Sequence, residues 1–521
     1  RYTQTEFYAQ DSWKVSKRLN LELGIRFYSS PATHDIRQFL TTFIPSAYDL
    51  KTAAVMYRPG IDPVTKKRAA IDPRNGNVAP VTYIGLFVPG SGNYAPGMAI
   101  GGKGAPEGLY TTPFSVAPRI GFAFDPKGNG KTAIRGGFGM FYDRPQGNVY
   151  SGTVGQAPVS YNPTVSFGNL DTFLLATGVV GPPSVTAVES AKQPLPMTMN
   201  FSLGVQRELG FRSVVDVSYV GSLARHLIIS RNINSIPMYA HFDPKNIDST
   251  TNSPLPDNYL RPYLGMGNIN MRTFDGTSNY HGLQVSANRR MTNGLQYGMS
   301  YTWGKSLGVS NADFGGVSMY FPIRKQNYGP LGYDIRHMLV INYAWDLPGL
   351  GKKLGNSILG VVTDNWQLSG ITTFMTGTPI SPGFSTSDGQ DITGSQEGAR
   401  INVKGDPNLP KSQRTFFKNF NTDAFARTPQ RDFGNAGLGY LRNPAWNNWD
   451  ISVSKRIPWK GEQRYFQLRG EFYNAWNHTQ FSGYDTGARF NPAGQQINAN
   501  FGAITGTRDP RKIQLSLRLM F

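Results

Sequence analysis

Gly128-Asn129-Gly130-Lys131-Thr132 has the outline of a phosphate-cradling loop. Such a loop aims backbone N–H groups at phosphate oxygens and needs a further glycine upstream and a helix downstream. Here that first position is Asp125, and the segment joins two alternating stretches, so a hairpin turn is expected instead. The six histidines, at 34, 226, 241, 281, 337 and 478, form no His-Glu-x-x-His pair and no ligand spacing. A Gly-x-Ser-x-Gly elbow is also missing. With 0 Cys the chain has no disulfide scaffold, no thiolate zinc site and no thiol nucleophile. Asp388, Asp391 and Glu397, set among Gly and Ser, offer hard oxygens to calcium but lack the EF-hand order, so a solvated loop is expected. These residues compose no active site, and neither enzymatic activity nor a cofactor or metal is expected.

Charge is the second chemical resource. Lys and Arg number 52 against 33 Asp and Glu, a formal net charge of +19. A basic, aromatic chain can bind nucleic acid. This surplus is instead spread beside short connections, as in Lys14, Lys17 and Arg18, Lys127 and Lys131, Arg207 and Arg212, Arg289 and Arg290, and Lys455 and Arg456. No recognition helix or nucleic-acid motif accompanies it, so solvated strand ends near anionic lipid headgroups or an acidic solute are the expectation, and nucleic acid is not. Six charged residues lie within alternating segments, on their polar side: Glu22, Arg26, Arg135, Asp216, Arg469 and Glu471. Facing hydrocarbon they would be costly; facing water or a plug they are reasonable. Two roles stay open for them: charge pairs that pack against a plug, or ligand contacts along a transport path. Tyr48, Tyr57, Tyr94, Tyr110, Tyr150, Tyr161, Tyr263 and Phe274 lie between these segments and could stack on a ligand or on one another.

The elements that must position these groups announce themselves by alternation. Leu19, Leu21, Leu23, Ile25 and Phe27 interleave with Asn20, Glu22, Gly24, Arg26 and Tyr28, a period of two with one apolar and one polar face. The pattern recurs in thirteen segments, at about 3–14, 19–28, 115–125, 132–142, 197–208, 213–222, 280–290, 295–305, 336–347, 365–376, 447–456, 465–476 and 511–521. Each is about ten residues long, the length of a tilted membrane-spanning strand. Short turns, at 15–18, 126–131, 209–212, 291–294 and 458–464, alternate with long stretches rich in Gly, Pro, Asn and Ser; one turn, 348–364, is longer. No apolar run approaches a membrane helix, the first residues do not read as a signal peptide, and the 39% hydrophobic content argues against a large dry core. The pattern predicts an all-β, antiparallel transmembrane β-barrel with short periplasmic turns and long extracellular loops, in the bacterial outer membrane. A soluble sandwich would show alternation too, but with shorter strands.

Aromatic residues gather near strand ends on the apolar face: Trp13, Phe124, Trp345, Trp366, Phe466 and Phe521 at the short-turn end, and Tyr142, Trp303, Phe374 and Trp476 at the loop end. They are expected to form the girdles at the two membrane interfaces, with outer-membrane lipids as partners. If short turns are periplasmic, the first strand descends and the thirteenth ends at the periplasmic face. Single-chain bacterial barrels have an even strand number and begin at the periplasm, so residues 1–521 are expected to be the C-terminal part of one barrel domain.

Several stretches resemble TonB-dependent outer-membrane receptors, particularly the Oar-like group with an N-terminal carboxypeptidase-regulatory-like domain. They are Phe7-Tyr8-Ala9-Gln10-Asp11-Ser12-Trp13-Lys14 followed by Leu19-Asn20-Leu21-Glu22-Leu23-Gly24-Ile25-Arg26, Tyr280-His281-Gly282-Leu283-Gln284, Ser300-Tyr301-Thr302-Trp303-Gly304-Lys305-Ser306, Trp366-Gln367-Leu368-Ser369-Gly370-Ile371, Arg469-Gly470-Glu471-Phe472-Tyr473-Asn474 and Arg508-Asp509-Pro510-Arg511-Lys512-Ile513-Gln514. The resemblance implies a plugged barrel of about 22 strands, of which these would be the tenth to the last. It also implies active uptake of a scarce or bulky extracellular ligand, powered by the TonB complex through a plug outside this chain. Phe521, at the end of an alternating strand, resembles the signal read by the barrel assembly machinery. A passive porin, or another complete small barrel, is the alternative, and the transported ligand is not legible.

Overall fold

The computed structural model describes residues 2–175, 178–460 and 464–521. Its centre is one antiparallel sheet whose path runs through thirteen strands in chain order. These are β1 (Thr5–Lys14), β2 (Leu19–Ser29), β3 (Ser115–Phe124), β4 (Thr132–Tyr142), β5 (Met197–Leu209), β6 (Ser213–Asn232), β7 (Ile269–Thr292), β8 (Leu295–Gly308), β9 (His337–Asp346), β10 (Trp366–Met375), β11 (Trp446–Lys460), β12 (Arg464–Tyr473) and β13 (Lys512–Met520). All thirteen expected segments are strands of this path. Among the described residues β1 pairs only with β2 and β13 only with β12, so both edges are open.

Register follows from alternation, because a slip of one residue would exchange the two faces. Leu23 opposes Ile120, Leu203 opposes Tyr219, and Leu468 opposes Leu517, keeping apolar residues together. Turn chemistry then sets where each strand reverses. Asn293 and Gly294 both have positive φ, at 51° and 73°, as a two-residue hairpin turn requires. In the turn after β3, the Asp125 carboxylate accepts the N–H groups of Lys127, Gly128 and Gly130 at 3.2, 2.9 and 2.7 Å. This closes the stretch that outlined a phosphate loop as a hairpin.

Four features depart from the expected boundaries. β6 and β7 run to 20 and 24 residues, because they keep pairing beyond a bulge at His226 and Gly276, through Ile229 with Thr273 and Asn232 with Asn270. A parallel strand, Val185–Val188, joins β7 there. β12 stops at Tyr473 rather than 476, since Asn474 and Asn477 adopt positive φ and the Asn474 N–H turns to the Asp450 carboxylate at 3.0 Å. The turn 348–364 is helical, with α1 (Leu350–Leu354) and α2 (Ser357–Thr363). The expected turn 458–464 lies partly outside the described residues.

The dry core lies in the loops. One cluster holds Leu40, Leu109, Tyr110, Val149, Tyr150, Val188 and Phe274; a second holds Phe43, Val185, Ala187, Met266, Ile269 and Met271; a third joins Ile401, Phe420, Phe425, Phe490 and Phe501. The sheet's apolar face is left open instead, with Leu203 55% and Leu515 77% exposed. No helix among the described residues is long and apolar enough to cross a membrane, a statement that leaves strands aside.

Candidate ligand path on the polar face and in the loop lobe

Strand register puts Glu22, Arg26, Arg135, Asp216, Arg469 and Glu471 on the polar face but does not gather them. Arg26 forms an ion pair with Glu6 at 3.3 Å and lies 5.7 Å from the ring centres of Tyr8 and Tyr28. Glu22 opposes Ser12 and Gly121. From Glu22 one row crosses the sheet through Gly121, Gly137, Ser202, Val220, Gly282 and Gly304, a band with little side-chain bulk. Arg135 opposes Ala123 and Gly204, and Asp216 accepts the Ser218 hydroxyl. Arg469 and Glu471 are brought together at 2.8 Å, and Arg469 Nε also donates to Ser452 Oγ at 3.0 Å. The arrangement is thus two charge pairs near opposite edges of the sheet, with Glu22, Arg135 and Asp216 as three separate charges. Glu6 and Ser452 escaped the sequence reading. Only register identifies them, because neither belongs to a motif.

Above the polar face the loops form a packed lobe. Their aromatic residues pack on one another: Tyr110 against Phe274 at 5.0 Å, Tyr48 against Tyr263 at 5.1 Å, and Tyr94 stacked on Phe87 at 5.1 Å. The loop acids Asp388 and Asp391 are exposed, as expected of a solvated loop, and all three also have protein partners. Asp388 pairs with Arg427 at 3.0 Å, Asp391 meets His241 Nδ1 at 2.7 Å, and Glu397 accepts the Met319 N–H at 2.9 Å. His241 Nε2 is 3.0 Å from Asp257, so this imidazole clasps two loops. Burial pulls its pKa down, but the hydrogen bonds to Asp391 and Asp257 outweigh that and leave it above the ordinary histidine value. At the root of the lobe Asp334, 1% exposed, receives the Arg442 guanidinium and the Ser306 N–H, the latter at 2.6 Å. Beside β6 and β7 lies a cleft of about 230 Å³ lined by Asp143, Arg144, Asn148, Thr277, Asn311 and Asp313. Thr277 Oγ1 lies there buried and without a hydrogen-bond partner. This lining offers carboxylates, a guanidinium and amides to a hydrated polar solute. Among the described residues no group of three or more His, Cys, Asp or Glu is placed to hold a metal ion.

The aromatic strand ends are mostly exposed. Trp13, Trp303, Trp345 and Trp476 all stand open, Trp476 packs edge-on against Trp449 at 6.0 Å, and Trp366 opposes Lys455 on the apolar face. Phe521 follows β13 and is almost fully exposed. Tyr142 departs from the expected pattern: it turns onto Tyr28 at 5.6 Å. Lys455 departs as well, since it is a buried residue whose amine donates to the carbonyls of Val362 at 3.1 Å and Asp364 at 2.8 Å. The helical turn covers a charge that alternation alone would leave on the apolar face.

A family model described as an outer membrane beta barrel domain matches residues 1–514. No curated protein matches the chain. Among solved structures, the outer membrane transporter YddB from Escherichia coli is similar at 10% identity and a TM-score of 0.41, over 99% of this chain and 54% of that one. The ferric citrate transporter FecA in its unliganded form aligns at 9% identity and 0.39, over 99% and 44%. The siderophore receptor PiuA from Acinetobacter baumannii aligns at 9% and 0.39, over 99% and 43%. The chain spans about half the length of these structures.

Proposed function

The chain belongs to the outer membrane beta barrel domain family, and from that premise we propose that residues 1–521 are the C-terminal part of a TonB-dependent receptor of the Oar-like group. The observation that supports this reading is the open sheet: thirteen antiparallel strands in chain order, with β1 and β13 each paired on one side only among the described residues. Lipid gives no hydrogen bonds to a free edge, and in this reading further strands of the receptor supply them. An odd strand number agrees with that, and the ordered motifs from Phe7 to Gln514 support the family.

In this reading the apolar face meets outer-membrane lipid, Trp13, Trp303, Trp345, Trp366, Trp476 and Phe521 mark the interfaces, and the polar face encloses a plug. Arg26 with Glu6 and Arg469 with Glu471 are poised as pairs that pack against it. Glu22, Arg135 and Asp216 border the low-bulk band through which a solute would pass. The loop lobe captures an extracellular ligand, the plug transmits the work of the TonB complex, and Phe521 addresses the chain to the barrel assembly machinery.

The test is uptake by the complete protein in its own cells. Metabolites retained by the purified receptor, identified by mass spectrometry, should enter cells only when both the receptor and TonB are present. Entry that persists without TonB would identify a passive channel instead. A secretion signal immediately upstream of Arg1 in the gene would likewise argue for a complete small barrel.

A further inference from the structure

The helical turn between β9 and β10 is a built object whose apolar side stays exposed among the described residues. Gly355, at φ 66°, closes α1, and the Asn356 side chain caps α2 by accepting the Leu359 N–H at 3.0 Å. The two helices cross where only glycine fits: a Cβ on Gly351 would lie 2.2 Å from the Gly360 Cα. The Gly351 N–H is held by the Asp364 carboxylate at 2.9 Å. This tight crossing turns five large apolar side chains outward. Leu350, Leu354, Ile358, Val361 and Val362 are 51%, 68%, 83%, 65% and 66% exposed. Their spacing, i and i+4 in α1 and i, i+3 and i+4 in α2, is that of single helix faces.

What covers that surface follows from where it is anchored. Trp366 Nε1 donates to the Val362 carbonyl at 2.7 Å, and the Lys455 amine donates to Val362 and Asp364 and lies 5.1 Å from the Trp366 ring centre. Trp366 opposes Lys455, Lys455 opposes Leu468, and Leu468 opposes Leu517, so the hairpin is fastened to the apolar face of the wall at its short-turn end. Its exposed side chains therefore continue a surface that faces lipid. Lys353, also exposed, adds a cation to suit anionic headgroups. A second copy fits less well, because five side chains bury only a few hundred Å² where a stable dimer needs roughly 1,200 Å² or more.

We propose that residues 350–363 form a foot that lies in the membrane interface, inserting Leu350, Leu354, Ile358, Val361 and Val362 into the phospholipid leaflet around the short-turn rim. The foot widens the contact of the barrel with that leaflet and keeps the Lys455 charge out of hydrocarbon. This rests on the reading of the apolar face as lipid-facing.

The chain has 0 Cys, so single cysteines can carry a nitroxide without interference. The complete protein with Ile358→Cys, Val361→Cys, Ser357→Cys or Leu203→Cys would be labelled and reconstituted in phosphatidylethanolamine–phosphatidylglycerol vesicles. Collisions with oxygen, which concentrates in lipid, would be compared with collisions with a water-soluble nickel chelate. Labels at 358 and 361 should be oxygen-accessible, as should the one on the sheet at 203, while the label at 357 should shift toward nickel. In a Gly351→Val background, which cannot close the crossing, the label at 358 should lose its oxygen preference and that at 203 should keep it. Nickel access at 358 and 361 equal to that at 357 would overturn the foot, as would spin–spin broadening between copies or labels shielded from both agents by protein. Nickel access at 203 would overturn the lipid-facing reading itself; oxygen access at 203 with nickel access at 358 would overturn the foot alone.

Discussion

Asp334 carries an unusual share of the loop lobe for one side chain. It takes the Arg442 guanidinium and the Ser306 N–H while 1% exposed, and Arg442 Nη1 continues to the carbonyls of Asp334 at 2.9 Å and Gly377 at 3.0 Å. Asp334→Ala takes the acceptor from the Ser306 N–H and from an Arg442 side chain that is only a quarter exposed, so it is expected to destabilise the folded protein by about 2 kcal/mol, read from urea unfolding in lipid vesicles. His241 is a different case because its charge titrates. A histidine whose folded pKa is raised contributes stability that is complete below its ordinary pKa of about 6.5 and is lost as pH rises through the folded value. The clasp on Asp257 and Asp391 should therefore loosen as pH rises above about 6.5, and limited proteolysis of loops 233–268 and 376–445 should accelerate in that direction. His241→Gln should flatten the response; an unchanged pH profile in that variant would refute the assignment. Neither Asp334 nor His241 stood out in the sequence. Each acts on residues 16 to 150 positions away, and no local motif encodes such a meeting.

For the strands, the decisive property is which face a side chain occupies. Leu203 and Leu517 lie on the apolar face and Ser202 and Ser516 on the polar one, as their cross-strand partners Tyr219, Leu468, Val220 and Arg469 dictate. Leu203→Asp or Leu517→Asp should cost about 2 kcal/mol and impair assembly, whereas Ser202→Asp and Ser516→Asp should assemble normally, judged by heat-modifiable gel migration of the outer-membrane fraction. Equal effects on the two faces would refute the assignment. Strand existence was legible because a period of two is local and repeats. Strand ends were less so: β6 and β7 outgrow their alternating cores because each supplies the other's hydrogen bonds above the wall, a benefit visible only once they are paired. The helical turn was missed for a similar reason, since α2 is 7 residues long and is held by a crossing glycine and a cap rather than by a long periodic face.

Taken as a whole, the molecule is a curtain with two free hems. β1 carries Phe7, Tyr8 and Trp13 exposed, and β13 carries Ile513, Leu515 and Leu517 exposed, beside unpaired backbone groups. Produced alone and extracted into detergent, residues 1–521 should therefore associate through these edges and elute in size-exclusion chromatography as large, heterogeneous species. A monodisperse monomer would contradict the open-sheet reading. The loop lobe is the counterweight: buried side chains such as Phe43, Phe87 and Phe490, at 0%, 1% and 1% exposure, give the loops a packed interior that the wall does not have.

By itself the sequence determined the thirteen strands and the division into an apolar and a polar face, because alternation is a property of consecutive residues and one misplaced step would turn every side chain over. The loop core, the His241 clasp, the Asp334 anchor and the covering of Lys455 were decided only by tertiary structure. Their residues stand singly among Gly, Pro and Asn, with no period to betray them, and they become neighbours only when chain segments far apart in sequence fold over the same end of the sheet.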